Sequence, residues 1–480
     1  MSDDDVGAGR YRFGPLERRG VVAGWRGGQI VAVAAGLVAA VAALRVSASV
    51  GGAAVAVVAV AVGVAVATWP LAGRSAEEWA PDAARHARAE LARSRRRLAG
   101  PGAEITLLEV GTGAAQVGVV WDRRHGTYGA VLRVGASGFS LLGQEEQTER
   151  VARWSAVLAS TARAGSALHR LQWIETALPP TAARARPVVD GGDDLGTDAG
   201  AEIGADAGVA AARVSYAALC RAEEEAAWRH EVVLVLTVHA RKSGRAVRAA
   251  GSGHGGACAV LLHEVAALRR QLRQADLGTE TVLDRAAVAA LVRRASAADG
   301  AVPVAAGAWR WPWPMAVEAQ WGRLRTDDTW HVTFWVAEWP RLDVGPDFLS
   351  PLVLSSQARR AVSVVMEPVG TLAAARRIEQ ARTADAADAE LRRRGGFLTT
   401  ARRTRERATL ARREVELADG HAQLRFTGYV TVTASDPEAL ERDCGAVEQD
   451  AARCGIELRR CYGDQLRAFL CTLPLGRGLA

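Results

Sequence analysis

Residues 27–73 read GGQIVAVAAGLVAAVAALRVSASVGGAAVAVVAVAVGVAVATWPLAG, and of these 47 residues only Arg45 carries a charge. The first apolar run, 27–44, would rise about 27 Å as a helix, and the second, 46–73, is long enough to cross a bilayer with some tilt. The alternation of Ala with Val after Val55 imitates a strand, but an uninterrupted strand of this length is improbable, and lipid demands that backbone groups pair within the segment. The stretch therefore reads as a two-span membrane hairpin. The alternative is a buried helical hairpin of a soluble domain. Arg10, Arg12, Arg18, Arg19 and Arg26 precede the hairpin, and Arg74, Arg85, Arg88, Arg93, Arg95, Arg96 and Arg97 follow it, with Arg45 alone in the expected turn 45–49. The positive-inside bias places both ends in the cytoplasm. A multi-pass protein of the cell membrane is expected, its apolar runs too long and too closely paired for a cleaved signal peptide.

Outward from the hairpin, 1–26 is a polar basic arm and 74–103 a juxtamembrane segment in which 81–98 suits a helix ending in arginines, a feature compatible with anionic headgroups or with a solvated connector. The remaining length has room for two or three soluble domains. The net charge is +7, and Lys242 is the only lysine. No G-x-x-x-x-G-K-[ST] loop surrounds that lysine, which excludes a P-loop. The arginine excess fits attraction to anionic lipid or nucleic acid, or simply coding-base composition. Six cysteines, none in a C-x-x-C pair, read as buried thiols of a reducing compartment.

The part 104–178 turns to period two, with strands expected at 105–110, 116–121 and 128–134, a helix at 145–164 and a strand at 168–176. Residues 179–208 hold three prolines, six glycines and five aspartates and read as a disordered acidic insert. The middle part, 209–358, offers a helix at 209–229, a buried strand at 230–240, helices at 258–275 and 281–295, and a strand at 330–339. Within it Trp309, Trp311 and Trp313 lie in a Pro/Trp-rich loop. They suit core or interface packing, or a stacking platform for single-stranded nucleic acid. The last part, 359–475, reads β-α-α-β-α-β-β, with strands at 456–462 and 465–473, an α+β arrangement of the ferredoxin-like sort. Overall the sequence predicts a membrane α-hairpin plus cytoplasmic α+β domains, with mixed sheets, long helices and a ferredoxin-like C-terminal part.

Catalytic signatures are incomplete. His263-Glu264 lacks the second histidine of H-E-x-x-H, 135–138 falls short of a nucleophile elbow, and His254 with Cys258 has no second pair to complete a metal set. No catalytic residue, metal site or cofactor is expected.

Residues 359–475, with the strand RRAVSVVMEPV, a basic helical hairpin, the strand and helix LRFTGYVTVTASDPEALERD and the ending LRAFLCTLPLG, resemble the N-terminal, non-motor domain of the TraC/TrbE/CagE-type conjugative ATPases of type IV secretion. The hairpin is similar to the two-span PrgI-like or TrbD-like membrane subunit that partners such ATPases. The combination resembles actinobacterial membrane proteins of conjugative clusters. The resemblance implies a structural or adaptor subunit that docks a separate secretion ATPase at the inner face of the membrane, among other inner-membrane subunits, anionic lipid and further copies of itself. Direct DNA contact stays open, and a membrane-tethered nucleic-acid-binding protein is the alternative. The family's motor would begin after Leu475, so the last strand, 465–473, and the tail beyond Pro474 are expected to present an exposed docking surface, with Phe469, Leu470, Leu473 and Leu475 as its residues and the tryptophan segment as a second candidate.

Overall fold

The computed structural model describes residues 27–47, 49–68, 83–84, 86–88, 104–111, 116–135, 138–163, 165–180, 228–278, 280–297, 313–340, 342–355, 357–394, 404, 408, 411–412, 414–415 and 423–478. The basic arm, most of the juxtamembrane segment, residues 181–208 of the acidic insert, residues 209–227 of the helix expected at 209–229, Trp309, Trp311 and most of 398–417 lie outside these residues.

Helices α1 (Gly27–Val46) and α2 (Val50–Thr68) pack against each other. Arg45 therefore lies in the last turn of α1 rather than in the connection, which shortens to 47–49, and Ser49 Oγ accepts from Gly52 N at 3.2 Å to cap α2. The backbones meet at glycines: a Cβ on Gly36 would lie 2.8 Å from the Ala59 carbonyl oxygen, and one on Gly63 2.9 Å from that of Ala32. Ala40, Ala56 and Ala67 fill the seam, while Val31, Leu37, Val38, Val57, Val58 and Val62 point outward. Small residues inside and large apolar residues outside invert the pattern of a water-soluble helix pair. Among the described residues one helix, Val50–Thr68, is long and apolar enough to cross a membrane; the described apolar stretch of the first, Ile30–Val46, is shorter.

The rest of the described chain is α+β, built on one 12-stranded sheet. In chain order the elements are β1 (Ile105–Val110), β2 (Val117–Asp122), β3 (Thr127–Val134), α3 (Gln144–Thr161), β4 (Leu168–Leu178), β5 (Arg229–His239), α4 (Gly244–Ala249), α5 (Gly253–Gln274), β6 (Glu280–Val282) and α6 (Arg285–Ser296). They continue with β7 (Val317–Ala319), β8 (Leu324–Thr326), β9 (Thr329–Glu338), α7 (Ser350–Val353), β10 (Arg360–Val369), α8 (Thr371–Arg394), β11 (Gln423–Ala434), α9 (Pro437–Arg453), β12 (Glu457–Arg460) and α10 (Gln465–Leu470).

The strand order β1-β2-β3-β5-β4-β10-β11-β9-β8-β7, with β6 on β3 and β12 on β9, resolves into two units of the same topology. Each is a two-strand meander leading into a split β-α-β-β-α-β unit and a closing helix. In the first, β3 carries β2 on its N-terminal half (Val119↔Ala130 to Asp122↔Thr127) and β6 on its C-terminal half (Leu132↔Val282 to Val134↔Glu280). In the second, β9 carries β8 (Leu324↔His331 to Thr326↔Thr329) and then β12 (Phe334↔Arg460 to Glu338↔Glu457). The equivalent strands β4 and β10 pair antiparallel about Ile174↔Ser363, which relates the units as a two-fold axis would.

Helices cover both faces. On one, α3 and α5 close a core containing Leu132, Leu171, Leu234 and Leu261, and α7 and α9 close one containing Phe334, Val362, Val430 and Leu440; Trp173 touches both. On the other face α6 and α10 pack over Val131, Ile174, Val233 and Leu324.

Four expectations need correction. The stretches 104–178, 209–358 and 359–475 share one sheet, and the C-terminal ferredoxin-like unit starts at Thr329 instead of 359. Every described pairing is antiparallel, not mixed, because a split β-α-β unit sets an antiparallel strand between each parallel pair. Residues 281–295 divide into the short strand β6 and helix α6, whose N-cap Asp284 accepts from Ala287 N at 2.7 Å. The strand expected at 465–473 is instead helix α10 and a tight turn. Leu466, Phe469, Leu470 and Leu473 recur at i, i+3, i+4 and i+7, a helical period misread as a strand.

Candidate docking site

Of the residues expected to dock a partner, the five that are described come together inside the molecule. Phe469 and Leu470 are each 4 % exposed, Leu473 and Leu475 2 %, and Trp313 3 %, and all five belong to one core beneath α6. Side chains so covered offer no surface; they fill the second face of the sheet. The tail after Pro474 is held in the same way. Gln172, at the centre of β4, donates from Nε2 to the Cys471 carbonyl (2.8 Å), the Leu473 carbonyl (3.1 Å) and Ser363 Oγ (3.0 Å), and its Oε1 accepts from Gly476 N at 2.9 Å. Gly476 has φ of 66°, and a Cβ there would strike Thr237 Oγ1, so only glycine lets the tail cross the strand. Arg477 then donates to the buried Asp122 at 2.7 Å. Burial alone would raise the Asp122 carboxyl; Arg477 and the His125 backbone and ring hold it below the ordinary aspartate value.

An open groove lies elsewhere, at the end of the second unit, between the β9–β10 connection and the C-terminal turn of α9. Its volume is about 1260 Å³. The groove is open to solvent along its length and is of the size of a short helix, about 10 Å across, rather than of a closed small-molecule cavity. The sequence builds it by cutting a helix short. In the first unit the connection between β3 and β4 carries the 18-residue α3. In the second, 344–351 reads VGPDFLSP, and the four-residue α7 stops where the buried Arg360 takes its carbonyls, donating to Leu352 (2.5 Å), Val353 (2.7 Å) and Ser355 (2.5 Å). Cation capping of terminal carbonyls favours this stop. The apolar lining includes Trp339, Phe348, Leu354 and Ile456, and Leu342 stands 81 % exposed at the rim. Gly428 of β11 makes room for Trp339, since a Cβ there would lie 2.9 Å from the indole.

The rim is acidic. Glu338, Asp343, Asp347 and Glu457 line the groove; Glu457 pairs with Arg459 at 2.8 Å, and Asp450 with Arg453 at 3.0 Å. Burial pushes the thiol of Cys454 in its wall up to about 11, which favours the neutral thiol over the thiolate.

The other chemical candidates are absorbed by structure. His254 Nδ1 lies 2.8 Å from Tyr128 Oη and its ring stands edge-on to Trp121, while Cys258 is buried with its thiol pKa raised by burial. Glu264 accepts from Ala167 N at 2.8 Å and so ties α5 to the start of β4. Among the described residues no group of three or more His, Cys, Asp or Glu could hold a metal ion. Compared with known proteins, the chain matches no family model and no curated sequence.

No motif signalled the groove. The prolines of VGPDFLSP are compatible with a shortened helix, but the missing cover shows only when the unit is set against the first.

Proposed function

We propose that this chain is a membrane-anchored structural subunit of a conjugative DNA-transfer or type IV secretion apparatus, which holds a separate ATPase at the inner face of the membrane. The observation that carries the membrane half is the hairpin seam at Gly36 and Gly63, with small residues inside and valines and leucines outward, an arrangement stable in lipid and costly in water. With arginines flanking both ends, the sheet then lies on the cytoplasmic side. The docking half is supported by the long sheet with its open, acid-rimmed groove, and by the likeness of the strand and helix patterns to the non-motor part of secretion ATPases. Anionic lipid, other inner-membrane subunits and further copies of the chain are its proposed neighbours.

The test is purification of the tagged chain from membranes with identification of a P-loop ATPase in stoichiometric amount. Reporters fused after Arg97 and at Ala480 should read cytoplasm, and one inserted at Ser47 the outside. Recovery of the chain in the soluble fraction overturns the membrane half, and membrane complexes without any ATPase overturn the docking half.

A further inference from the structure

The two units agree in strand order and register but differ in one helix. In the first unit α3 packs along the C-terminal turn of α5: Ser160 Oγ lies 2.5 Å from Gln271 Oε1, and Val157 reaches the same core as Leu268 and Leu272. The element of the second unit equivalent to α5 is α9. Its C-terminal turn, with Asp450, Arg453 and Cys454, forms a groove wall, and the helix that would lie beside it is the one-turn stub α7. Leu342 and Leu354, 81 % and 47 % exposed, stand at this opening. These two side chains are exposed where the counterpart surface of the first unit is covered.

We propose that this groove receives an α-helix from a partner protein, amphipathic and basic, which completes the second unit as α3 completes the first. The size suits a short helix about 10 Å across. The apolar floor requires a stripe of leucine-like side chains at i, i+3, i+4 and i+7. The sign of the charge follows from the rim, where Asp343 and Asp347 are exposed acids and where the acids outnumber the bases even with Glu457 paired to Arg459 and Asp450 to Arg453. Arginines or lysines flanking the stripe meet them, and a helix with acidic flanks is repelled. The proposal deepens the docking role given above and rests on it only for the identity of the partner, not for the chemistry of the groove.

The test uses the full chain in nanodiscs of phosphatidylcholine, which has no net charge, and two labelled 14-residue helical peptides with the same leucine stripe, one flanked by arginine and one by glutamate, followed by fluorescence anisotropy. The basic peptide should bind saturably and at least about ten-fold more tightly than the acidic one. Asp347→Arg with Glu457→Arg should cost the basic peptide about ten-fold and bring the acidic peptide up. Leu342→Ala with Leu354→Ala should weaken both peptides without changing their order. All four positions are exposed, so unchanged melting is the control. No binding of the basic peptide, equal binding of the two, or binding indifferent to the rim reversal overturns the proposal. If an ATPase still co-purifies with a groove-reversed chain, the groove is not its site while the adaptor role stands; if the peptide behaves as expected and no ATPase is found, the groove stands and the adaptor role falls.

Discussion

The first unit finishes itself and the second does not. Both present an antiparallel sheet to helices, yet the first spends 18 residues on α3 and 22 on α5, whereas the second has 17 on α9 and only four on α7. The first also borrows from the far end of the chain: Leu475, Gly476 and Arg477 lie on its strands and close its second face. The second unit is open at the helix position that α3 fills in the first, and that opening is the groove proposed to take a partner helix.

The largest expected effect comes from removing the tail. Truncation after Pro474 deletes Leu475 from the core, leaves Gln172 Oε1 without the Gly476 amide and strips Asp122 of its cation. A buried charge without its partner and a vacated core site together should cost about 3–5 kcal/mol in urea unfolding. A truncated chain as stable as the full one would show that the first unit does not depend on the tail.

Arg477→Ala isolates the electrostatic part, at about 2–3 kcal/mol. The Asp122 carboxyl is held below its ordinary value when folded, so it contributes stability above that value and loses it as the pH falls through the folded one, below about pH 4. Without the guanidinium, burial raises that carboxyl instead, and acid unfolding followed by circular dichroism should begin at higher pH. An unchanged acid midpoint would remove Arg477 from the account.

Gly36→Leu probes the hairpin. Its side chain meets the Ala59 carbonyl and Gly63 backbone, so the helices must part, at a cost of about 1–3 kcal/mol of overpacking. Cysteines placed across the seam at Ala40 and Ala56 should lose their cross-linking within the membrane fraction, while the peptide-binding groove stays as it is.

Much of this was legible locally. Period-two runs gave most of the long strands, Asp436 with Pro437 marked the start of α9, and its side chain does accept from Glu438 N and Ala439 N. What was not legible is what depends on distant partners. In the run from Gln465 the helical spacing of Leu466, Phe469, Leu470 and Leu473 is a local signal, whereas the burial of Phe469 and Leu470 depends on strands more than a hundred positions earlier. Pairing of β4 with β10 joins stretches that composition separates by an acidic insert, and no local pattern signals such a pairing. The groove is a negative feature, a helix that is absent, which only a second copy of the same topology makes visible.

The smallest expected effect is the sharpest check on that comparison. Val157 of α3 is 4 % exposed in the core of the first unit, and Val157→Ala should cost about 1–2 kcal/mol, the price of a vacated buried position. Leu342 stands at the opening of the second unit, 81 % exposed, and Leu342→Ser removes a larger apolar group. Because that group is already in water in the free chain, the change should lie within about 0.5 kcal/mol of zero. Measured again with the basic peptide bound, the ranking should change, since the melting shift that the peptide gives to the parent chain should shrink in Leu342→Ser and stay whole in Val157→Ala. If Leu342→Ser destabilises the free chain as much as Val157→Ala does, the rim leucine is already covered by the chain itself, and the second unit is as complete as the first.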